Sequence, residues 1–253
     1  MAKLDDIVAF LDSFLEIKSF RDYPGAVNGL QIENAGAITR VVAAVDASIP
    51  VIEVAASVPG TLLVVHHGMF WQGVQPITGA VRRKIKSALD GDLALYSSHL
   101  PLDLHPECGN NVLLAQALGL LDVGPLPIDA KSGLSMGLLG SWVGKRADFL
   151  DHLSHAVGGA VHLCPGGSGQ IRRVAVITGG AGSEVAEIAA SGADTFVTGE
   201  GPHWSYPLAE ELEMNLVYAG HYATETFGVR ALAARISADF SVDHTFIDRP
   251  SGL

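Results

Sequence analysis

RVVAAVDASIPVIEVAASVPGTLLVVHHG (residues 40–68) lies without a gap over RVAVITGGAGSEVAEIAASGADTFVTGEG (173–201). Each copy opens on Arg-Val and an apolar run. Each then passes through a helical stretch built on Val-Ala-x-x-Ala-Ala-Ser or close to it, and closes on a second apolar run that ends in polar residues. Self-similarity of this length marks a duplicated supersecondary unit. The runs are nearly continuous in apolar character, which suits strands covered on both faces of a parallel or mixed sheet. The match continues downstream, where LALYSSHLPLD (93–103) lies over NLVYAGHYATE (215–225). Tyr96 falls on Tyr218, His99 on His221 and Asp103 on Glu225, so both copies end a strand with a histidine and place a carboxylate four residues on.

Working outward, strands are expected at 40–47, 61–67, 93–99, 173–179, 194–200, 215–221 and 243–248. Helices are expected at 49–57, 79–90, 109–119, 183–191, 204–213 and 225–239. Strand and helix in alternation read as α/β. The chain divides into two related α/β lobes, residues 1–126 and 127–253, with a metal site expected between them. Pro125, Pro127, Asp129 and Gly133 mark the seam. Whether the closing strand returns to the first lobe is left open. The glycine-rich stretch 158–173 reads as a strand followed by a loop.

Composition narrows the class. The 253 residues are 48% hydrophobic and 17% charged, which opposes disorder, and the formal net charge of −11 opposes a protein built to coat nucleic acid. In MAKLDDIVAFLDSFLEIKSF (1–20), Leu4, Ile7, Val8, Leu11, Phe14 and Leu15 recur at three and four, giving an amphipathic helix and not a signal peptide. No apolar run approaches the roughly 20 residues of a membrane span. Cys108 and Cys164 form no Cys-x-x-Cys motif and read as reduced thiols. A soluble cytoplasmic protein is expected.

The chemistry-bearing residues are imidazoles and carboxylates at strand ends, where active sites of α/β sheets sit. His66 and His67 are adjacent. Neighbours on a strand point opposite ways, so the pair is suited to addressing two ions where the strand gives way to a loop, and Gly68 permits a sharp turn there. His221 and Glu225 form a second cluster, brought to one face by a spacing of four, with Thr224 or Thr226 available for capping. A glutamate between two ions can give one oxygen to each. Asp103 is expected as a ligand on a loop that Pro101 and Pro106 keep out of helix. His99 and His105 stand as ligands, orienting groups or proton donors. Glu200, the repeat counterpart of His67, stands as an orienting group, a base or an interface residue. VRRKIK (81–86) reads as a solvated helix face, with a phosphate contact as the alternative. Phe70 and Trp71 read as packing, with stacking on a base as the alternative. TGGAGS (178–183) and CPGGSG (164–169) lack the ending of a phosphate loop.

NGLQIE (28–33), VVHHGMFW (64–71), SSHLPLDLHPECGNN (97–111), VTGE (197–200) and AGHYATE (219–225) resemble the successive motifs of the GTP cyclohydrolase 1 type 2 homologues, also called NIF-three-like proteins. The resemblance runs on to TFIDRPSG (245–252). It implies a dinuclear metal site, with His66 and Asp103 on one ion, His67 and His221 on the other, and Glu225 as the bridge. It also implies a ring-shaped homohexamer, in the short bacterial form. Two divalent ions are expected, of zinc, iron, manganese or similar type. Two functions follow as alternatives. One is a metal-dependent hydrolase acting on a nucleotide or related small molecule. The other is a metal-binding, metal-delivery or regulatory protein.

Overall fold

The computed structural model describes residues 1–127 and 135–253. Asp129 and Gly133, two of the seam residues, lie outside the described residues. The chain forms two compact units, residues 1–108 with 228–249, and residues 109–227 with 250–253.

The first unit is built on a five-stranded sheet in which Arg40–Asp46, Thr61–His67, Ala94–Ser97 and Asp243–Phe246 run parallel and Gly29–Ile32 pairs antiparallel with Ala94–Ser97. Its central strands are apolar throughout because both faces are covered. Val42, Ala44, Leu63, Val65 and Leu95 pack on one face against Val51, Ile52 and Ala55 of the helix Ile49–Ala55 and Ala88 of the helix Gly79–Asp90. The amphipathic segment at the start forms the helix Leu4–Phe14, burying Leu4, Ile7 and Leu11.

The second unit repeats the plan. Gln170–Val176, Thr195–Thr198 and Asn215–Tyr218 are parallel, extended on one side by Leu138–Lys145 and then Leu121–Pro125 and on the other by His162–Pro165, each of these antiparallel to the strand it pairs with inward. Alternate residues of one strand serve different cores. Val174 and Val176 pack with Leu114, Leu118 and Phe149, while Ala175 and Ile177 pack with Val185, Ile188 and Phe196.

The division falls at 108/109 and not at 126/127 as expected. The reason is the apolar face of the helix Asn110–Ala117. Leu114 and Ala115, followed by Leu118, bury against the second unit's sheet, and the next strand pairs with Leu138–Lys145 of that same sheet. The closing strand Asp243–Phe246 pairs with Arg40–Asp46, so the chain does return to the first unit. Among the described residues no helix is long and apolar enough to cross a membrane.

Candidate metal centre

In the first unit the candidate residues gather where the parallel strands end. Asp46 and His67 are register partners on adjacent strands, and His67 Nδ1 lies 3.0 Å from Asp46 Oδ1. His66, fully buried, holds its Nδ1 3.0 Å from the Ser98 carbonyl oxygen. A carbonyl only accepts, so His66 Nδ1 carries a hydrogen and Nε2 is the nitrogen turned to the site. That Nε2 stands 3.4 Å from Oδ2 of buried Asp103. Two electron-pair donors facing each other away from solvent are stable only with a proton or a cation shared between them.

Asp103 is not on a helix-free loop. Leu100–Asp103 is a short helix with Pro101 in its first turn. Proline is compatible there because the first N–H groups of a helix have no intrahelical partner. Gly68 also has a different role from the one expected. Its φ is not positive, and a Cβ there would meet Gln31 Nε2 at 2.2 Å. The glycine admits Gln31, whose Oε1 accepts from the Met69 N–H at 2.8 Å and so fixes the chain leaving the histidine pair.

His99 precedes the same short helix. One ring nitrogen of each of His66, His67 and His99 lies within 4.8 Å of the others. His99 Nδ1 is 2.9 Å from Oδ1 of Asp22, a buried carboxylate. Burial pushes the Asp22 pKa up, but the hydrogen bond and charge of His99, with Asn28 and the Tyr23 N–H, outweigh it and hold the carboxyl below its ordinary value. His105 stands apart. Its Nε2–H donates to the Phe14 carbonyl at 3.0 Å, and its Nδ1 accepts the N–H groups of Glu107 and Cys108, each at 3.2 Å. Burial lowers its pKa, consistent with a neutral ring. Both nitrogens are engaged in tying the turn after Asp103 to the first helix, so of the readings open for His105 the geometry supports the structural one.

In the second unit, His221 begins the short helix His221–Thr224, and Glu225 caps its end. The spacing of four brings His221 Nε2 to 3.0 Å from Glu225 Oε1, while His221 Nδ1 lies 2.8 Å from Glu200 Oε1. Burial would lower the His221 pKa, but the two carboxylates, Glu225 foremost, push it up to about 9. In the metal-free protein a proton holds this trio together. Glu200 Oε1 is thus placed against the His221 Nδ1. Thr224 does not cap the following helix; its hydroxyl donates to the His221 carbonyl and accepts the Gly179 N–H.

Three features escaped the sequence reading. Asp46 was visible in principle, as a strand-end carboxylate one parallel strand away from His67. Asp22 was not, since its histidine lies 77 residues further on. Gly179, in a run set aside as no phosphate loop, borders Glu225. Two of the four basic residues in the run 81–86 are paired within their own unit, Arg83 with Glu53 and Lys86 with Asp90.

The site's donors are imidazoles and carboxylates with no thiolate, a set that fits zinc, iron or manganese. The family model described as Duf34/NIF3 (NGG1p interacting factor 3) matches residues 2–251. The chain belongs to this family. A Deinococcus radiodurans protein named GTP cyclohydrolase 1 type 2 homolog is 40% identical over 251 residues, covering 98% of this chain and 94% of that one. A crystal structure from Thermus thermophilus matches at TM-score 0.90 and 36% identity, covering 99% of this chain and all of that one. Reduced HcgD from Methanocaldococcus jannaschii matches at TM-score 0.85 and 27% identity, covering 98% of each chain.

Proposed function

We propose that the protein is a hydrolase dependent on two divalent metal ions and acting on a nucleotide or a related small molecule. His66 and Asp103 serve one ion, His67 and His221 the other, and Glu225 bridges. The observation that carries this reading is the same in each unit: a histidine Nε2 faces a buried carboxylate, at 3.4 Å for His66 with Asp103 and 3.0 Å for His221 with Glu225. When bound, two such ions supply Lewis acidity and an activated water near neutral pH.

The protein's own groups do the rest. Asp46, the Ser98 carbonyl and Glu200 take the Nδ1 hydrogens of His67, His66 and His221, which would leave each Nε2 to hold an ion. Glu225 brings two carboxylate oxygens, enough to serve two ions. GTP is the first substrate to test, because the curated relatives are named homologues of a GTP cyclohydrolase.

The experiment is turnover. Protein loaded with zinc, manganese or ferrous iron is incubated with GTP, other nucleotides, phosphoesters and amides, and formate and hydrolysis products are measured. Turnover of one of these is expected. Activity that survives replacement of both His67 and Glu225 by Ala would overturn the reading. The second reading, metal handling without turnover, is favoured by partial solvent access to the His67 and His221 side chains, 20% and 28% exposed. It requires rapid loss of metal to modest chelators and no saturable substrate. The ring-shaped homohexamer belongs to the same proposal, and light scattering should give six times the 26.4 kDa chain mass.

A further inference from the structure

The first unit carries one imidazole more than the proposed two-ion centre uses. His99 lies with His66 and His67 in a group in which one ring nitrogen of each is within 4.8 Å of the others. All three rings share one arrangement. His66 Nδ1 is held by the Ser98 carbonyl, His67 Nδ1 by Asp46 and His99 Nδ1 by Asp22, at 3.0, 3.0 and 2.9 Å. Each of these oxygens accepts, so each Nδ1 carries a hydrogen and Nε2 is the nitrogen left to face an ion. A histidine that donates one nitrogen to a carboxylate or carbonyl and offers the other is the arrangement that metal sites impose.

His99 is also fixed more firmly than a surface histidine needs to be. Asp22 Oδ1 accepts the Tyr23 N–H as well as His99, while Asp22 Oδ2 accepts from Asn28 Nδ2 at 2.8 Å and from the Leu100 N–H at 2.9 Å. Asn28 Oδ1 in turn accepts the His99 N–H at 2.8 Å, and the Trp71 ring meets the His99 ring edge-on at 4.8 Å between centroids. A tie needed only to hold the loop 20–28 would be complete with Asn28, Tyr23 and the Leu100 N–H. It gives no reason for a third imidazole turned toward two others.

We infer that His66, His67 and His99 hold a single divalent cation through their Nε2 atoms, without any donor from the second unit. This rests on the metal-dependent reading above and adds His99 as a donor and Asp22 as the residue that positions it. Two nitrogens each about 2.1 Å from one zinc-sized ion are about 3.4 Å apart at the tetrahedral angle, so ring rotations that draw the nitrogens together by up to about 1.4 Å complete the site. Three imidazoles leave open positions on the ion; the trio is a one-ion state, and a second ion would divide His66 and His67 between the two ions as proposed above.

The test uses the full chain with the second unit's donors removed, His221→Ala with Glu225→Ala. Removing His221 with buried Glu225 leaves Glu200 without its partner, and that side chain is 44% exposed and stays solvated, so folding is expected to be retained. Cobalt(II) is the probe, followed by equilibrium dialysis with metal analysis and by its visible absorption spectrum. The double variant is expected to bind one cobalt per chain. Adding His99→Phe, which keeps the ring packing on Trp71 and removes both nitrogens, should weaken binding at least tenfold and alter the spectrum. Adding Asp22→Asn instead should weaken it by about 10–100-fold, the usual effect of losing a ligand's partner. Circular dichroism checks that each variant is folded. Unchanged affinity and spectrum with Phe at 99 would overturn the inference, as would a folded double variant that binds no cobalt while the parent protein binds two. Failure of the parent itself to bind cobalt would overturn the metal-dependent reading along with it, so the two failures are distinguishable.

Discussion

Gly179 and Glu225 are in such close approach that a Cβ on the glycine would lie 2.5 Å from Glu225 Oε1. Gly179 also has a φ of +72°, its N–H donates to Thr224, and its carbonyl accepts from the Gly199 N–H at 2.8 Å. One residue thus joins the ends of two strands to the short helix that carries the carboxylate. Its counterpart in the first copy of the repeat is Asp46, so the same strand end supplies a carboxylate in one unit and room for one in the other.

Gly179→Ala should therefore act twice. The left-handed backbone costs about 1–2 kcal/mol for a residue with a Cβ. The added methyl pushes Glu225 Oε1 away from His221, so bound metal per chain should fall. Thermal denaturation and metal analysis of the purified variant check both. Unchanged metal content would show that the close approach is incidental to the site.

Asp46→Asn tests orientation separately from stability. Asp46 is 46% exposed in its side chain, so its replacement should leave the melting temperature nearly unchanged. The weaker acceptor frees the His67 ring, and metal affinity should drop by about 10–100-fold. Competition with a chromogenic chelator reads that shift. A large loss of stability with intact affinity would mean that Asp46 braces the strand end and not the histidine.

Legibility followed the physics of each feature. The parallel strands could be read because both their faces are buried, which writes an unbroken apolar run into residues 62–65 and 174–177. The His221–Glu225 pair could be read because one turn of helix converts a spacing of four into contact. Asp22 could not, because its partner is brought to it by tertiary folding alone. Pro101 was misread because a proline that blocks a helix interior is accommodated in the first turn. The seam was misplaced because two prolines near 126 mark a change of direction, while the decisive feature was the apolar face of 110–117, whose partner is not encoded locally.

Phe196 lies fully buried in the second unit, among Ala175, Val185, Ile188 and Leu216. Phe196→Ala removes that ring from a core that closes only partly, and should cost about 3–5 kcal/mol. Urea denaturation gives the value. A loss below 1 kcal/mol would mean that this face of the sheet is loosely packed.

Metal removal should be felt as instability. A ligand that binds only the folded chain at about a hundred times its Kd adds about 2.7 kcal/mol. Zinc or manganese added to chelator-stripped protein should raise the melting temperature. The gain should be lost in Glu225→Gln, which keeps the side chain's size and removes its charge. Equal melting temperatures with and without metal would argue that the carboxylates are satisfied by protons alone.

The two thiols should be inert in the folded protein. Burial, aided by the charge of Glu107, pushes the Cys108 thiol up to about 12, and burial with Glu210 pushes Cys164 up to about 11. The thiolate is the reactive form, so against an ordinary cysteine near 8.5 the fraction available at pH 8 falls by roughly a hundredfold or more. Raising the pH toward the shifted values increases the rate, whereas lowering it does not. Ellman's reagent at pH 8 should therefore report close to no rapid reaction in buffer and two thiols per chain in guanidinium. Rapid modification of either cysteine in buffer would show that its part of the core opens on the timescale of the assay.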